Sequence, residues 1–119
     1  MTSLYQNLDV WKKSMKLTKQ IYSLTHDFPN YELYGLTSQI RRCSISIPSN
    51  IAEGSSRRTP KDFIHFLYIS LGSTSELETQ LILSIDLGYI KDLEKIKETQ
   101  QLMIDVRMML KKLIQSINI

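Results

Sequence analysis

Apolar residues recur at steps of three and four along residues 8–25, the spacing of one face of an α-helix. The face combines two rows, Leu8, Trp11, Met15, Thr18, Tyr22 and Thr25 with Val10, Leu17, Ile21 and Leu24. Lys12, Lys16 and Lys19 fall together on the opposite side. The pattern predicts a first helix over 8–25. Phe28-Pro29-Asn30 stops it, because proline disfavours helical geometry in the residue before it.

A second apolar row crosses residues 44–58, SISIPSNIAEGSSRR, whose composition looks unsuited to a helix. The row keeps one phase on both sides of Pro48 and comprises Leu36, Ile40, Cys43, Ile47 and Ile51. We therefore predict one helix over 35–55, kinked at Pro48 and terminated near Gly54. A proline inside a helix costs about 3 kcal/mol or more and frees the carbonyl four residues earlier, here that of Ser44. Nearby serine hydroxyls are expected to satisfy this carbonyl in part.

The third and fourth helices have explicit start signals. Thr59, Pro60 and Asp62 supply a cap, a proline in the first turn and a carboxylate beside it. Gly88 suits the left-handed residue that ends a helix, and Asp92 the cap of the next one. The predicted buried rows are Phe63, Phe66, Leu67, Ser70, Thr74, Leu77, Leu81 and Ile85, then Ile96, Met103, Val106, Leu110, Leu113 and Ile117.

Four helices with short connections predict an all-α fold, a single domain over 1–119 built as an antiparallel up-down-up-down four-helix bundle. The third and fourth helices carry further apolar residues outside the buried rows, among them Ile69, Leu83, Leu87 and Met108. A monomeric bundle needs about three apolar positions in seven. The surplus predicts a homo-oligomer. The alternative is an apolar surface or a thicker core.

The composition is that of an ordinary soluble domain, with 119 residues, 42% hydrophobic and 23% charged. No apolar run approaches the roughly 20 residues that span a bilayer, and the N-terminus shows no secretory signal. We therefore expect a cytoplasmic protein without a membrane partner, with Cys43 as a core residue. Residues 1–58 hold eight Lys/Arg against four Asp/Glu, and residues 59–119 hold seven against eight. A basic first half favours a polyanionic partner.

The sequence contains no recognisable catalytic arrangement. His26 and His65 fall on different helices, without a carboxylate or cysteine partner at metal-ligand spacing. Glu76 and Glu78 are two residues apart, so on a helix they point away from each other and cannot share an acid–base site. We expect no enzymatic activity, no metal and no cofactor.

A polar stripe beside the core row of the second helix has two interpretations. Its residues, together with a glutamate bordering the core row of the third helix, are Arg42, Ser46, Ser49, Asn50, Glu53 and Glu78. They form either a structural network, in which arginine–carboxylate pairs fix the register of the helices, or a binding surface.

Basic side chains offer a second candidate surface. Arg57 and Arg58 lie in the connection after the second helix, where they either form a solvated turn or contact phosphates. The lysines of the first helix are likewise either a solvated face or part of a basic track. The candidate nucleic-acid-binding residues are Lys12, Lys16, Lys19, Arg41, Arg57 and Arg58.

Three stretches, YGLTSQIRRCSISIPSNIAEGSSR (34–57), FLYISLGSTSELETQL (66–81) and LGYI (87–90), together resemble one protein family. They are similar to the four-helix-bundle proteins encoded in intervening sequences of bacterial 23S rRNA genes. The residues that match its signatures are Arg41, Arg42, Ser49, Asn50, Glu53, Gly54, Arg57, Glu76 and Glu78. Thr74 and Ser75 are more polar than the family pattern at this place.

Related bundles serve as accessory variability determinant proteins of diversity-generating retroelements. These are pentameric barrels with a basic surface that bind nucleic acid and associate with a reverse transcriptase. The resemblance therefore implies a homopentamer. It supplies no molecular function, because none is established for most members.

Two hypotheses follow. In the first, the protein is a non-enzymatic homo-oligomer that binds RNA or DNA through basic surfaces, largely independently of sequence. In the second, it is a protein-interaction scaffold or an accessory subunit, for example of a reverse transcriptase, without nucleic-acid affinity of its own.

Overall fold

The computed structural model describes residues 4–117, which form a four-helix bundle. Its helices are α1 (Asp9–Thr25), α2 (Leu36–Ser55), α3 (Pro60–Asp86) and α4 (Leu93–Ser116). Short 3-10 turns at Leu4–Asn7 and Asn30–Glu32 precede α1 and α2. No strand occurs within residues 4–117. The all-α prediction is confirmed, and the start of each of the first two helices differs from its predicted position by one residue.

The helices form a ring of neighbours. α1 packs against α2 and α4, and α3 packs against the same two helices. The contacts between α1 and α2 run in opposite directions along the two helices. Thr18 meets Ser44, whereas Thr25, seven residues later in α1, meets Arg41, three residues earlier in α2. The up-down-up-down order of the whole bundle stays a prediction.

Aliphatic side chains from all four helices fill the core. Those with almost no exposed surface include Leu17, Ile21, Ile40, Ile47, Ile51, Leu67, Leu77, Leu81, Val106 and Leu110. In α1 the buried line runs through Val10, Leu17, Ile21 and Leu24, whereas Tyr22 of the other predicted row is 40% exposed. Only one of the two predicted rows is thus fully buried, because α1 is flanked by α2 and α4 and its inward line points between them.

The interior proline of α2 is accommodated by its neighbour. Pro48 is buried within a single continuous helix, and the carbonyl that it frees on Ser44 accepts a hydrogen bond of 2.9 Å from the Thr18 hydroxyl of α1. This hydroxyl shares its proton with the Ser14 carbonyl of its own helix, at 3.0 Å. The expectation that serines would satisfy this carbonyl is wrong. Ser44 and Ser46 donate instead to carbonyls three residues earlier in their own helix, as short hydroxyl side chains in helices do. The kink at Pro48 stays a prediction.

Gly54 does not terminate α2. The helix continues to Ser55, and among the described residues a positive φ occurs only at Gly88, at 79°. A Cβ on Gly54 would lie 2.7 Å from Cβ of Phe66 and 3.0 Å from the ring of Phe63. The glycine therefore permits close approach of α2 and α3.

The predicted start signals of α3 and α4 are confirmed. The Thr59 hydroxyl accepts the Asp62 amide at 3.1 Å. The Asp92 carboxylate accepts the amides of Glu94 and Lys95 at 3.1 and 3.2 Å. With Gly88 in the left-handed conformation after α3, the short connections are determined locally.

Candidate nucleic-acid interface

The polar stripe of α2 contributes one direct link to α3. The Ser46 hydroxyl donates to the Cys43 carbonyl at 2.6 Å and lies 2.7 Å from the Ser73 hydroxyl of α3. Asn50 donates to the Ser46 carbonyl at 2.7 Å, within α2. Ser49 is exposed. Of the predicted stripe, Ser46 is thus the side chain through which the two helices meet.

The carboxylates of the predicted network pair elsewhere. Glu53 forms a 2.7 Å ion pair with Arg57, four residues later. Glu78 lies 3.5 Å from Arg107 of α4, and the Nε of Arg107 also donates to the Thr74 hydroxyl at 3.3 Å. Of these two pairs, only the one between Glu78 and Arg107 joins two helices, α3 and α4. Sequence reasoning missed Arg107, although its place beside Val106 in the buried row of α4 was a usable signal.

Arg42 lies on the exposed side of α2 and has no hydrogen bond or ion pair within residues 4–117. It borders an open cleft of about 500 Å³ between α2 and α3, together with Tyr34, Ser46 and Glu76. Arg42 and Glu76, the two charged residues of this cleft, are exposed. The cleft therefore presents both a positive and a negative charge to solvent.

Cys43 is a core residue. Its thiol donates to the Ser73 carbonyl of α3 at 3.2 Å. Burial, followed by the negative charge of Glu76, raises the pKa of the Cys43 thiol to about 12. A thiol with this pKa stays protonated at neutral pH and is a poor nucleophile.

The lysines predicted to bind nucleic acid lie along one side of α1. Lys12, Lys16 and Lys19 are all exposed to solvent. Lys16 and its neighbour Lys13 also border a groove between α1 and α4, where Lys13 lies 3.9 Å from Asp105. Exposed ion pairs of this kind contribute little stability, and the lysines remain accessible.

The predicted arginines separate into two groups. Arg57 and Arg58 lie in the exposed connection between α2 and α3, with the guanidinium of Arg57 4.9 Å from the ring centroid of Phe66. Arg41 is half-buried near the other end of α2, where its Nε donates to Thr25 at 2.8 Å. The structure therefore does not unite all six predicted residues in one patch.

The two ends of the bundle carry opposite net charge. We define the basic end as residues 4–13, 51–66 and 106–117, where α1 and α3 begin and α2 and α4 end. The packing of the 3-10 turn Leu4–Asn7 against α2 and the shared surface of Lys12 and Met109 bring these segments together. They hold eight Lys/Arg against three Asp/Glu, a balance of +5. Residues 22–38 and 82–98, at the opposite end, hold three against six, a balance of −3.

The basic end includes residues that the sequence analysis overlooked. Lys61, Lys111 and Lys112 are exposed and belong to the second half of the chain, which is slightly acidic as a whole. Charge counted along the sequence averages these lysines with the acidic residues of the α3–α4 connection. Counting by predicted bundle end would have found them.

The described part of the chain contains neither a candidate metal site nor a candidate membrane-spanning helix. Residues 4–117 contain no group of three or more His, Cys, Asp and Glu side chains that could hold a metal ion. Over the same residues, no helix combines the length and apolar character needed to cross a membrane.

Comparison with known proteins places the chain in a family. The profile of the 23S rRNA-intervening sequence proteins matches residues 6–112, which is most of the chain. The chain belongs to this family. No curated protein matches it.

A solved structure similar to this 23S rRNA-intervening sequence protein supports the fold. It is a protein of unknown function from the S23 ribosomal protein family of Bacteroides thetaiotaomicron, determined at 1.70 Å. The two proteins superpose with a TM-score of 0.80 and 28% identity, over 90% of this chain and 96% of the other. The match covers both chains almost completely, so the bundle is the whole of the shared architecture.

Proposed function

We propose that this protein is a non-enzymatic, homo-oligomeric bundle that binds RNA or DNA through its basic end. The observation that carries the proposal is the balance of +5 at that end, against −3 at the other. Phosphate contacts by exposed Lys and Arg supply most sequence-independent affinity for nucleic acids. A surface charged at one end also orients the protein as it approaches a polyanion.

Within this proposal the predicted residues have graded roles. Lys12, Arg57 and Arg58 lie at the basic end and contact phosphates, together with Lys111 and Lys112. Lys16 and Lys19 extend the contact along the accessible side of α1. Arg57 is partly neutralised by Glu53 at 2.7 Å, so Arg58 contributes more per residue.

The test is fluorescence anisotropy with labelled structured RNA and duplex DNA across a range of salt concentrations, on protein freed of bound nucleic acid. A variant with Arg58, Lys111 and Lys112 changed to Gln should bind at least about tenfold more weakly. Its salt slope on duplex DNA should fall by about 0.9 for each phosphate that the protein no longer neutralises.

The matched control changes Lys91, Lys95 and Lys97 to Gln. It removes the same charge from the opposite end of the bundle and should leave the affinity for nucleic acid nearly unchanged. Equal decreases of affinity in both variants, or binding without salt dependence, would contradict the proposal.

A second candidate, a protein-interaction scaffold, is favoured by the outer face of α3. We define this face by the exposed large side chains Tyr68, Ile69, Ile82 and Leu83, together with Leu87 directly after the last residue of the helix. Exposed apolar surface of this extent along one helix is typical of a contact with another chain. The contact would join copies of this protein, in a pentamer according to the family resemblance, or dock a partner such as a reverse transcriptase.

Light scattering distinguishes the two roles. A homo-oligomer predicts a mass that is a multiple of 13.9 kDa and that decreases when Ile82 and Leu83 are changed to Gln. Recovery of one stoichiometric foreign protein after nuclease treatment would support docking instead. A monomer at all concentrations, without a recovered partner, would refute both uses of the face.

A further inference from the structure

A small pocket at the start of α2 lies far from the basic end. Its volume is about 210 Å³, below the roughly 300–1,000 Å³ of pockets that hold drug-sized ligands. Phe28, Pro29 and Leu33 form apolar walls, and Thr37 and Arg41 of α2 line the polar side. The size suits an ion or one small substituent.

The pocket contains a buried hydroxyl without a partner. Thr37 is 4% exposed, and its Oγ1 has no hydrogen-bond partner among the described residues. Buried polar groups are almost always hydrogen-bonded, and most hydroxyl side chains of this bundle donate to a helix carbonyl. Thr37 is the second residue of α2, so the residues three and four positions earlier lie outside this helix, and neither of their carbonyls accepts the hydroxyl. The hydroxyl therefore has its proton free for another acceptor.

One turn further along α2, Arg41 is held in place but not neutralised. Its Nε donates to the Thr25 hydroxyl at 2.8 Å, and Thr25 in turn donates to the Ile21 carbonyl at 2.8 Å. The guanidinium lies 4.7 Å from the ring centroid of Tyr22. Arg41 has no carboxylate partner within residues 4–117, so both Nη groups keep their donors. An arginine fixed along one edge is suited to bind an oxyanion with the other.

The lining of the pocket favours an anion, although the pocket lies at the end of the bundle with the balance of −3. No Asp or Glu is among its lining residues, whereas His26 and Arg41 are. The first turn of α2 also contributes backbone N–H groups and the positive end of the helix dipole. Glu32 accepts the Leu36 amide at 3.3 Å and takes up one of these donors, but it is not part of the lining.

We propose that this pocket binds the phosphate group of a small molecule or of a nucleic-acid terminus, with Arg41 and Thr37 as its ligands. The proposal does not depend on the basic end, which lies at the other end of α2. Arg41 then has a role separate from that of the α1 lysines, with which it was predicted to bind nucleic acid.

The test compares thermal unfolding in inorganic phosphate with that in chloride at equal ionic strength. A ligand that binds only the folded protein raises the unfolding temperature as its concentration exceeds Kd. Phosphate also stabilises proteins non-specifically, but that contribution is shared by all variants. The specific increment should be lost in Arg41→Gln and in Thr37→Val, with Kd for phosphate raised about tenfold or more. It should persist in the control Arg42→Gln, which changes the adjacent exposed arginine.

Amide chemical shifts locate the site. Phosphate should shift the amide signals of Thr37 and Ser38 saturably, whereas acetate should do so more weakly. A 5′-phosphorylated oligonucleotide that competes with phosphate, when its 5′-hydroxyl counterpart does not, would identify a nucleic-acid terminus as the source. The absence of saturable shifts, or an increment that survives Arg41→Gln, would overturn the proposal. Thr37→Val keeps the shape of the side chain and removes an unpartnered hydroxyl, so the variant should fold.

Discussion

The two faces of α3 differ in an unusual way, because hydroxyl side chains are buried on one and large apolar side chains are exposed on the other. The inner face buries Ser70, Ser73, Thr74 and Ser84 among its leucines, whereas the outer face exposes Tyr68, Ile69, Ile82, Leu83 and Leu87. Small hydroxyls allow neighbouring backbones to approach and then bond to them, as Ser70 does with the Ile47 carbonyl at 2.9 Å. Burial within one chain therefore does not account for the large apolar residues of this helix.

Gly54 and Gly72 show the same contrast between a position packed within the chain and one that is not. Gly54 of α2 is buried against Phe63 and Phe66, whereas Gly72 is exposed on α3 and a Cβ there would meet nothing within 4 Å. A glycine inside a helix is less favourable than alanine by about 1 kcal/mol. Packing within the chain explains Gly54 and leaves Gly72 unexplained.

The largest predicted difference is between leucines on the two faces. Leu77→Ala should lower the free energy of unfolding by about 2–5 kcal/mol, because Leu77 is fully buried and its truncation leaves a cavity. Leu83→Ala, with Leu83 47% exposed, should change the stability of the monomer by less than about 0.5 kcal/mol. Chemical denaturation at low protein concentration measures both values, and similar decreases would show that the outer face is packed within the chain.

Replacing these two glycines with alanine should change the stability of the protein in opposite directions. Gly54→Ala should destabilise the protein by about 1–3 kcal/mol, since Cβ of Phe66 at 2.7 Å belongs to the start of a side chain and can move only with its helix. Gly72→Ala should stabilise an isolated chain by about 0.4–1 kcal/mol. Thermal unfolding of the two variants measures this. If Gly72→Ala also reduces the oligomeric mass, another chain approaches closely at that glycine.

A smaller effect is expected where α1 supports α2. Thr18→Val leaves the Ser44 carbonyl without its 2.9 Å donor and should cost about 1 kcal/mol. In a Pro48→Ala background, the restored amide at position 48 can donate to that carbonyl, so the same substitution should cost less. A double-mutant cycle measures this coupling. Additive effects would mean that Thr18 acts independently of the proline.

The smallest effect at neutral pH concerns Cys43, which faces the inner side of α3. Its pKa in the folded protein, about 12, exceeds the ordinary value of 9.0, so the folded state holds this proton more tightly than the unfolded state. The stabilisation is complete below about pH 9 and is lost as pH rises toward 12. Stability measured over that range should fall more steeply for the native protein than for Cys43→Ala. Parallel curves would show that the thiol is solvated.

The sequence was sufficient for the helices because their apolar spacing and caps are local. Thr59 and Asp92 lie next to the amides that they accept, so these features could be recognised directly. The donor to the Ser44 carbonyl could not, because Thr18 lies 26 residues earlier and periodicity gives no distance between helices. The role of Gly54 was mispredicted for the same reason, since its neighbours belong to another helix.

The candidate site was only partly predictable. Lys12, Arg57 and Arg58 were found from sequence, but their association with Lys111 and Lys112 depends on which helix ends meet. The unpartnered hydroxyl of Thr37 leaves no trace in composition or spacing, because an unmade hydrogen bond is visible only once all neighbours are in place.

The bond from Thr18 to Ser44 also affects how the chain comes to be folded. A segment interrupted by proline is a poor autonomous helix, so the excised peptide 36–55 should show little helicity in water. During synthesis α1 emerges before α2, and the donor that α2 lacks is thus already present when Pro48 leaves the ribosome. If α2 were transplanted into another bundle, the Ser44 carbonyl would lose the donor that α1 supplies. A helix of the new bundle would then need a threonine at the position that Thr18 occupies here.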